Sequence, residues 1–272
     1  MTRLGAAAYL ILGIWVLATG PAYALEGWAV YASQGRAYRC TVGGTPEVLY
    51  EGGVAYTCWS VDGTRIFFMK SDGDIWAMGN DGAEPRRLAS GKYTEQCPIA
   101  TYRPDGRYVL CVDGGKFDAI SAIDGSRTPI HSEARRYLGE IAISRDGTRL
   151  VARTFTHLYK ILAGQVGEMY SPRCSSSISP NGRWMTRNSG DWRRTILYNW
   201  DGGIYKELRT PLGREWDEQR FAANSDEYVV YSFNDRQAIG VVHVSDGEHT
   251  IVGDLIADYP DFFIGPLPDP GE

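Results

Sequence analysis

Apolar and polar residues alternate along this chain in short runs, broken at regular intervals by Asp-Gly and Gly-Gly pairs. The runs that flank these pairs are rich in β-branched and aromatic residues and predict strands, as in Arg65-Ile66-Phe67-Phe68 and Tyr228-Val229-Val230-Tyr231. The clearest stretch is SVDGTRIFFMKSDGDIWAMGNDGAEPRRL at 60–88, which reads strand, Asp-Gly turn, strand, polar loop, strand, Asp-Gly turn, strand. Related strings return at 102–130, 143–170, 178–208 and, most loosely, 222–252. Helical periodicity is absent. Four strands per unit at a period of roughly 40–45 residues predict an all-β fold, a β-propeller of four-stranded antiparallel blades.

Two sets of turns index the units. The turn between first and second strands holds Asp62, Asp105, Asp146, Asn181 and Asp226. The turn between third and fourth holds Gly43-Gly44, Asp81-Gly82, Asp124-Gly125, Ala163-Gly164, Asp201-Gly202 and Asp246-Gly247, one more than the first set. The first unit therefore lacks its innermost strand, and the segment around Phe262-Phe263-Ile264 is one strand too many. Placing that strand beside the first unit predicts a six-bladed ring with no free sheet edge. The expected blades cover about 26–52, 53–92, 93–132, 133–172, 173–212 and 213–253, with a closing strand at about 257–265.

The first residues do not share this pattern. Arg3, an apolar stretch from Ala6 to Ala18 and the small-x-small string Ala22-Tyr23-Ala24 read as a cleaved signal peptide over 1–24. The apolar stretch is short for a membrane span, which takes about 20 residues. The expectation is a periplasmic or secreted protein, not an integral membrane one, with the propeller over 25–272. The formal charge of −5 grows by one when Arg3 leaves. An acidic chain without a Lys/Arg block argues against nucleic acid as a partner. Cys40, Cys58, Cys97, Cys111 and Cys174 form no CxxC and have no His at ligand spacing, so no zinc site is expected. They read as small strand residues, with no pair assigned.

The string of Ser or Arg, x, Asp or Asn, Gly, two apolar residues and then Asp74-Ile75-Trp76-Ala77-Met78 with Asp81-Gly82 resembles the TolB-type, WD-repeat-like propeller repeat of bacterial envelope proteins. Residues 60–88 match it closely, 102–130 and 178–208 fairly well, and the resemblance runs over nearly all of 25–272. It implies the fold and no activity, because its residues form turns and core. TolB proper joins an α/β domain to its propeller. Here the repeat starts a few residues after the expected cleavage site, so the resemblance implies a propeller standing alone, with no partner-binding residue carried over.

Function is expected where the repeat breaks down. In four-stranded blades the Asp-Gly turns share one face, and the loops between second and third strands share the other with the connections between blades. The second face collects Tyr93, Arg135, Arg136, Tyr137, Trp192, Arg193, Arg194 and Trp216, residue types that carry binding to a protein or a glycan. Counting six residues back from the first turns gives Tyr56, Ile99, Glu140, Ser175 and Arg220 as channel-lining positions. Glu140 and Arg220 are the ionisable pair among them. His131, which precedes the fourth unit, and His157, in that unit's loop between second and third strands, complete the funnel candidates. Two His are too few for a metalloenzyme, and neither metal nor cofactor is expected. No G-x-S-x-G occurs, Asp and Gly are adjacent where a sialidase Asp-box would separate them, and the Ser71-Asp72-Gly73-Asp74 turn lacks calcium-loop spacing. The expected function is a non-catalytic exported scaffold for a protein or glycan of the cell envelope. The alternative is a propeller-type lyase or hydrolase with its site at the funnel mouth.

Overall fold

The computed structural model describes residues 25–90, 99–102, 108–113, 116–132, 139–153, 157–162, 165–170, 175–211, 214–235, 238–253 and 256–269. The expected signal segment lies outside them. Among the described residues there is no α-helix, and none long and apolar enough to cross a membrane.

Four sheets are four-stranded antiparallel meanders. They contain β7 (Ile99–Tyr102), β8 (Tyr108–Asp113), β9 (Lys116–Ser121) and β10 (Arg127–Ser132); β11 (Gly139–Ile143), β12 (Arg149–Arg153), β13 (Leu158–Leu162) and β14 (Gln165–Tyr170); β15 (Ser177–Ile178), β16 (Trp184–Asn188), β17 (Arg194–Asn199) and β18 (Ile204–Arg209); and β19 (Trp216–Phe221), β20 (Tyr228–Phe233), β21 (Ile239–His243) and β22 (His249–Gly253). The remaining strands are β1 (Gly27–Ser33), β2 (Gly35–Thr41), β3 (Glu47–Trp59), β4 (Arg65–Lys70), β5 (Ile75–Gly79), β6 (Arg86–Ala89) and β23 (Asp258–Ile264). They form one seven-stranded sheet in the order β23-β1-β2-β3-β4-β5-β6.

That larger sheet departs from the expected separate units. β3 pairs with β2 through Glu47–Glu51 and Val54, and with β4 through Val54–Trp59, so it serves two groups of four strands. Gly52 (φ +132°) and Gly53 (φ +74°) sit at the changeover, where glycine lets the strand bend without ending. At the other edge Phe262, Phe263 and Ile264 of β23 pair antiparallel with Ala29, Trp28 and Gly27 of β1.

Apolar clusters lie between successive sheets. Val30, Ala37, Trp59, Phe68, Met78 and Phe263 pack together in the seven-stranded sheet. Leu197, Leu208, Trp216, Val229 and Tyr231 join the β15–β18 sheet to the β19–β22 sheet. Ala29, Tyr31, Cys40, Val230, Ile239 and Phe262 join the last sheet back to β1, β2 and β23. Fully burying one such aromatic side chain contributes up to about 3 kcal/mol. Cys40 and Cys58 are both buried, and Cys40 is a free thiol that burial pushes up to about 11. The innermost strands touch in sequence: β23 meets β3, β3 meets β7, β7 meets β11, β11 meets β15, β15 meets β19, and β19 meets β23.

Candidate functional site

The turns that follow the inner strands share one chemistry. Ser60 Oγ donates to Asp62 Oδ1 (2.6 Å), which also accepts from Thr64 N (3.1 Å), while Arg65 N donates to Ser60 Oγ (2.9 Å). Ser144-Asp146-Thr148-Arg149 and Ser179-Asn181-Arg183-Trp184 repeat these bonds. Each needs a left-handed residue after its Asp or Asn, supplied by Gly63 (φ +72°), Gly147 (φ +75°) and Gly182 (φ +74°).

The loop between β16 and β17 uses the same device with a different residue. Ser189 Oγ donates to Asp191 Oδ1, Arg193 N donates to the same oxygen (3.3 Å) and Arg194 N donates to Ser189 Oγ (3.1 Å). These bonds hold the Asp191 carboxyl below its ordinary range, the Ser189 hydroxyl contributing most. The left-handed position is filled by Trp192 (φ +58°). A bulky side chain there costs about 1–2 kcal/mol that glycine would not. The indole is only partly buried, Arg193 is exposed, and Arg194 pairs with Glu207 (3.2 Å) and Asp191 (3.7 Å). Trp192 O accepts from Trp216 N (3.0 Å), which seats the turn on the start of β19.

Trp216 itself does not belong to this surface. It is 0% exposed, 4.6 Å from the Tyr231 ring and 5.7 Å from His249. It opens β19 and packs in the core, and a fully buried ring cannot stack on a glycan. Tyr93, Arg135, Arg136 and Tyr137 lie outside the described residues. His157 packs against Tyr159 (5.9 Å). For His131, in β10, and Glu140, in β11, the described residues give the strand alone.

Arg220 lines a central cavity of about 770 Å³, open mouth included, between the inner strands β3, β11, β15, β19 and β23. One end is stitched shut. Arg145 N donates to Pro180 O (2.7 Å), Asn181 N to Asp226 Oδ1 (2.7 Å) and Ala223 N to Phe262 O (2.8 Å), while Arg145 Nη2 reaches Asn224 O (3.3 Å). Ser175, Glu218 and Tyr259 line the other end, and all three are left-handed (φ +63°, +56° and +48°). Glu218 Oε2 accepts from Tyr259 N (2.7 Å) and Ser232 Oγ (2.9 Å). Burial, with smaller contributions from Asp217 and Asp258, lifts its carboxyl to about 7 despite those bonds. Asp261 accepts from Trp59 N (2.9 Å) and Phe262 N (2.8 Å); burial raises its carboxyl and the nearby Arg220 opposes this.

Counting back from the turns brought out Ser175 and Arg220 but missed Glu218, Gln219 and Asp261. An irregularity between Asp217 and Arg220 shifts the register there, and only a Glu amid two further acids on these strands hinted at it. Among the described residues no group of three His, Cys, Asp or Glu side chains could hold a metal ion.

No protein-family model matches the chain, and no curated protein matches it. Solved structures do. TolB from Acinetobacter baumannii superposes with a TM-score of 0.64 at 14% identity, over 87% of this chain and 66% of the TolB chain, just under two thirds of its length. A chain of a nidogen/laminin complex gives a TM-score of 0.66 at 8% identity, over 87% of this chain and 98% of that one. At such identities the likeness shows a shared β-propeller fold and nothing of activity.

Proposed function

We propose that the chain is an exported β-propeller of six blades, closed by β23, that acts as a non-catalytic scaffold for a protein or glycan of the cell envelope. The cycle of contacts among inner strands supports closure, as does the apolar cluster joining the last sheet to β1. Six blades follow when β3 is divided at Gly52-Gly53, giving boundaries at about 26–52, 53–92, 93–132, 133–172, 173–212 and 213–253. Export rests on the signal-like segment 1–24 and on the envelope proteins whose repeat this one resembles. That a similar fold carries a partner protein is illustrated by the nidogen/laminin complex.

The observation that carries the binding role is Trp192. Three equivalent turns use glycine at the left-handed position, and this one keeps a partly exposed tryptophan beside exposed Arg193 at a cost in stability. A bulky residue held at a strained surface position is suited to contact, and Trp and Arg are common interface anchors. The rest of the surface would come from Tyr93, Arg135, Arg136, Tyr137 and Arg194. Cross-linked capture from an envelope extract tests it with the parent, W192G and R193E. A protein or glycan held by the parent and lost from both variants, with W192G melting no lower than the parent, is the expected result. Equal capture by all three overturns the reading.

A second reading has its own support. Glu218, its carboxyl lifted to about 7 at the cavity, is suited to general acid–base chemistry and favours the lyase or hydrolase alternative at the funnel. Turnover of a polysaccharide by the parent that disappears in E218Q would establish it in place of the scaffold role.

A further inference from the structure

The central cavity holds more polar chemistry than the fold requires. Gln219, in its wall, is 2% exposed, and neither its Oε1 nor its Nε2 has a hydrogen-bond partner. Ser176, also in the wall and 6% exposed, has an unpartnered Oγ. A buried amide or hydroxyl left unsatisfied is destabilising, and a well-packed apolar residue at the same place would not be. Aliphatic residues do occupy neighbouring wall positions, among them Ile141, Ile143 and Ile178. The polar pair is therefore chosen against stability, as Trp192 is on the loop face.

The charges around the cavity say what the pair is for. Asp261 lies near Arg220, and Asp226 near Arg145 and Arg183. Glu218 faces Asp217 and Asp258, which disfavour further negative charge at the end lined by Ser175 and Tyr259. Gln219 and Ser176 leave three neutral groups to be satisfied, one amide carbonyl, one amide N–H₂ and one hydroxyl, and Arg145 Nε in the same wall adds one unpartnered N–H. A single amide group with both ends free matches two adjacent hydroxyls, one donating to Oε1 and the next accepting from Nε2. The apolar wall suits the C–H faces of such a molecule.

We propose that the central cavity is a binding site for a small neutral polyol of monosaccharide size, held through the Gln219 amide and the Ser176 hydroxyl. The three left-handed residues at the open end, Ser175, Glu218 and Tyr259, hold its entrance in a fixed shape. An acidic sugar is disfavoured by Asp217, Glu218 and Asp258. This site is distinct from the Trp192 turn and does not depend on it.

The test is saturation-transfer NMR on the purified chain with glucose, galactose, mannose and N-acetylglucosamine, each alone, and with glucuronate as the charged counterpart of glucose. At least one neutral sugar is expected to receive saturation, and glucuronate none. Gln219→Leu and Ser176→Ala should each weaken that sugar at least tenfold while melting at or above the parent's temperature, because each removes an unsatisfied buried group. Should Gln219→Leu fail to fold, Ser176→Ala carries the test alone. Absence of transfer to all four neutral sugars overturns the proposal. So does glucuronate binding as tightly as glucose, or unchanged binding in the folded cavity variants. Loss in W192G with retention in the cavity variants would move the sugar to the loop face and equally overturn it.

Discussion

Replacing Glu218 by Gln isolates the most perturbed carboxyl of the cavity. Its pKa rises from the ordinary 4.5 to about 7, chiefly through burial. The folded state thus binds this proton more tightly than the unfolded chain does. The protonated carboxyl's stabilisation is complete below about 4.5, and it is lost as pH climbs through about 7. At about 1.4 kcal/mol for each tenfold change, the loss totals about 3 kcal/mol. Gln keeps an oxygen for Tyr259 N and Ser232 Oγ and cannot ionise, so E218Q should lack this loss. The two proteins should therefore differ little at pH 4.5, and E218Q should gain about 3 kcal/mol on the parent by pH 8. That corresponds to a rise in melting temperature of roughly 5–10 °C for a domain of this size. Other shifted groups, including Asp226, Asp261 and the burial-lowered His249, are common to both proteins and cancel in the difference. Urea unfolding of both at pH 4.5, 6 and 8 gives the comparison. A difference that stays constant across that range would refute the placement of Glu218.

Three further outcomes follow from particular contacts. Gly63→Ala places a methyl 2.6 Å from the Phe263 ring at a left-handed position (φ +72°), and should cost about 2–3 kcal/mol in urea unfolding. Asp261→Ala strips the acceptor from Trp59 N and Phe262 N and leaves Arg220 without its carboxylate, a loss of about 3–5 kcal/mol measurable by thermal unfolding. Trp192→Gly should raise stability by about 1 kcal/mol, since the turn then matches its three equivalents.

The fold was legible because its turns are written in local chemistry. Asp62, Asp146 and Asn181 accept from their own turns, and the glycines beside them take the one conformation those turns need. Runs of β-branched and aromatic residues likewise marked strands, and those at 66–69 and 229–233 are buried along their whole length. Local chemistry could not show that β3 runs unbroken through Gly52-Gly53, because glycine signals a stop and a bend alike. Nor could it separate Trp192 from Trp216. Both are tryptophans near acids and arginines, and only the packing of Tyr231 and His249 reveals which is core. The cavity was half legible. Equal depth along the inner strands pointed to Ser175 and Arg220, while the register shift in β19 hid Glu218 and Gln219. Asp261 came from the far end of the chain, 202 residues from Trp59, whose amide it accepts.

The proposed ring requires β23 to be the innermost strand of the first blade, through the pairing with β1 that would close it. Hydrogen exchange read by mass spectrometry measures it directly. Amides of Asp258–Ile264 should exchange as slowly as those of β20 (Tyr228–Phe233), both opening only with the whole domain. Exchange of Asp258–Ile264 within seconds, while β20 stays protected, would contradict a closed ring and the cavity built upon it.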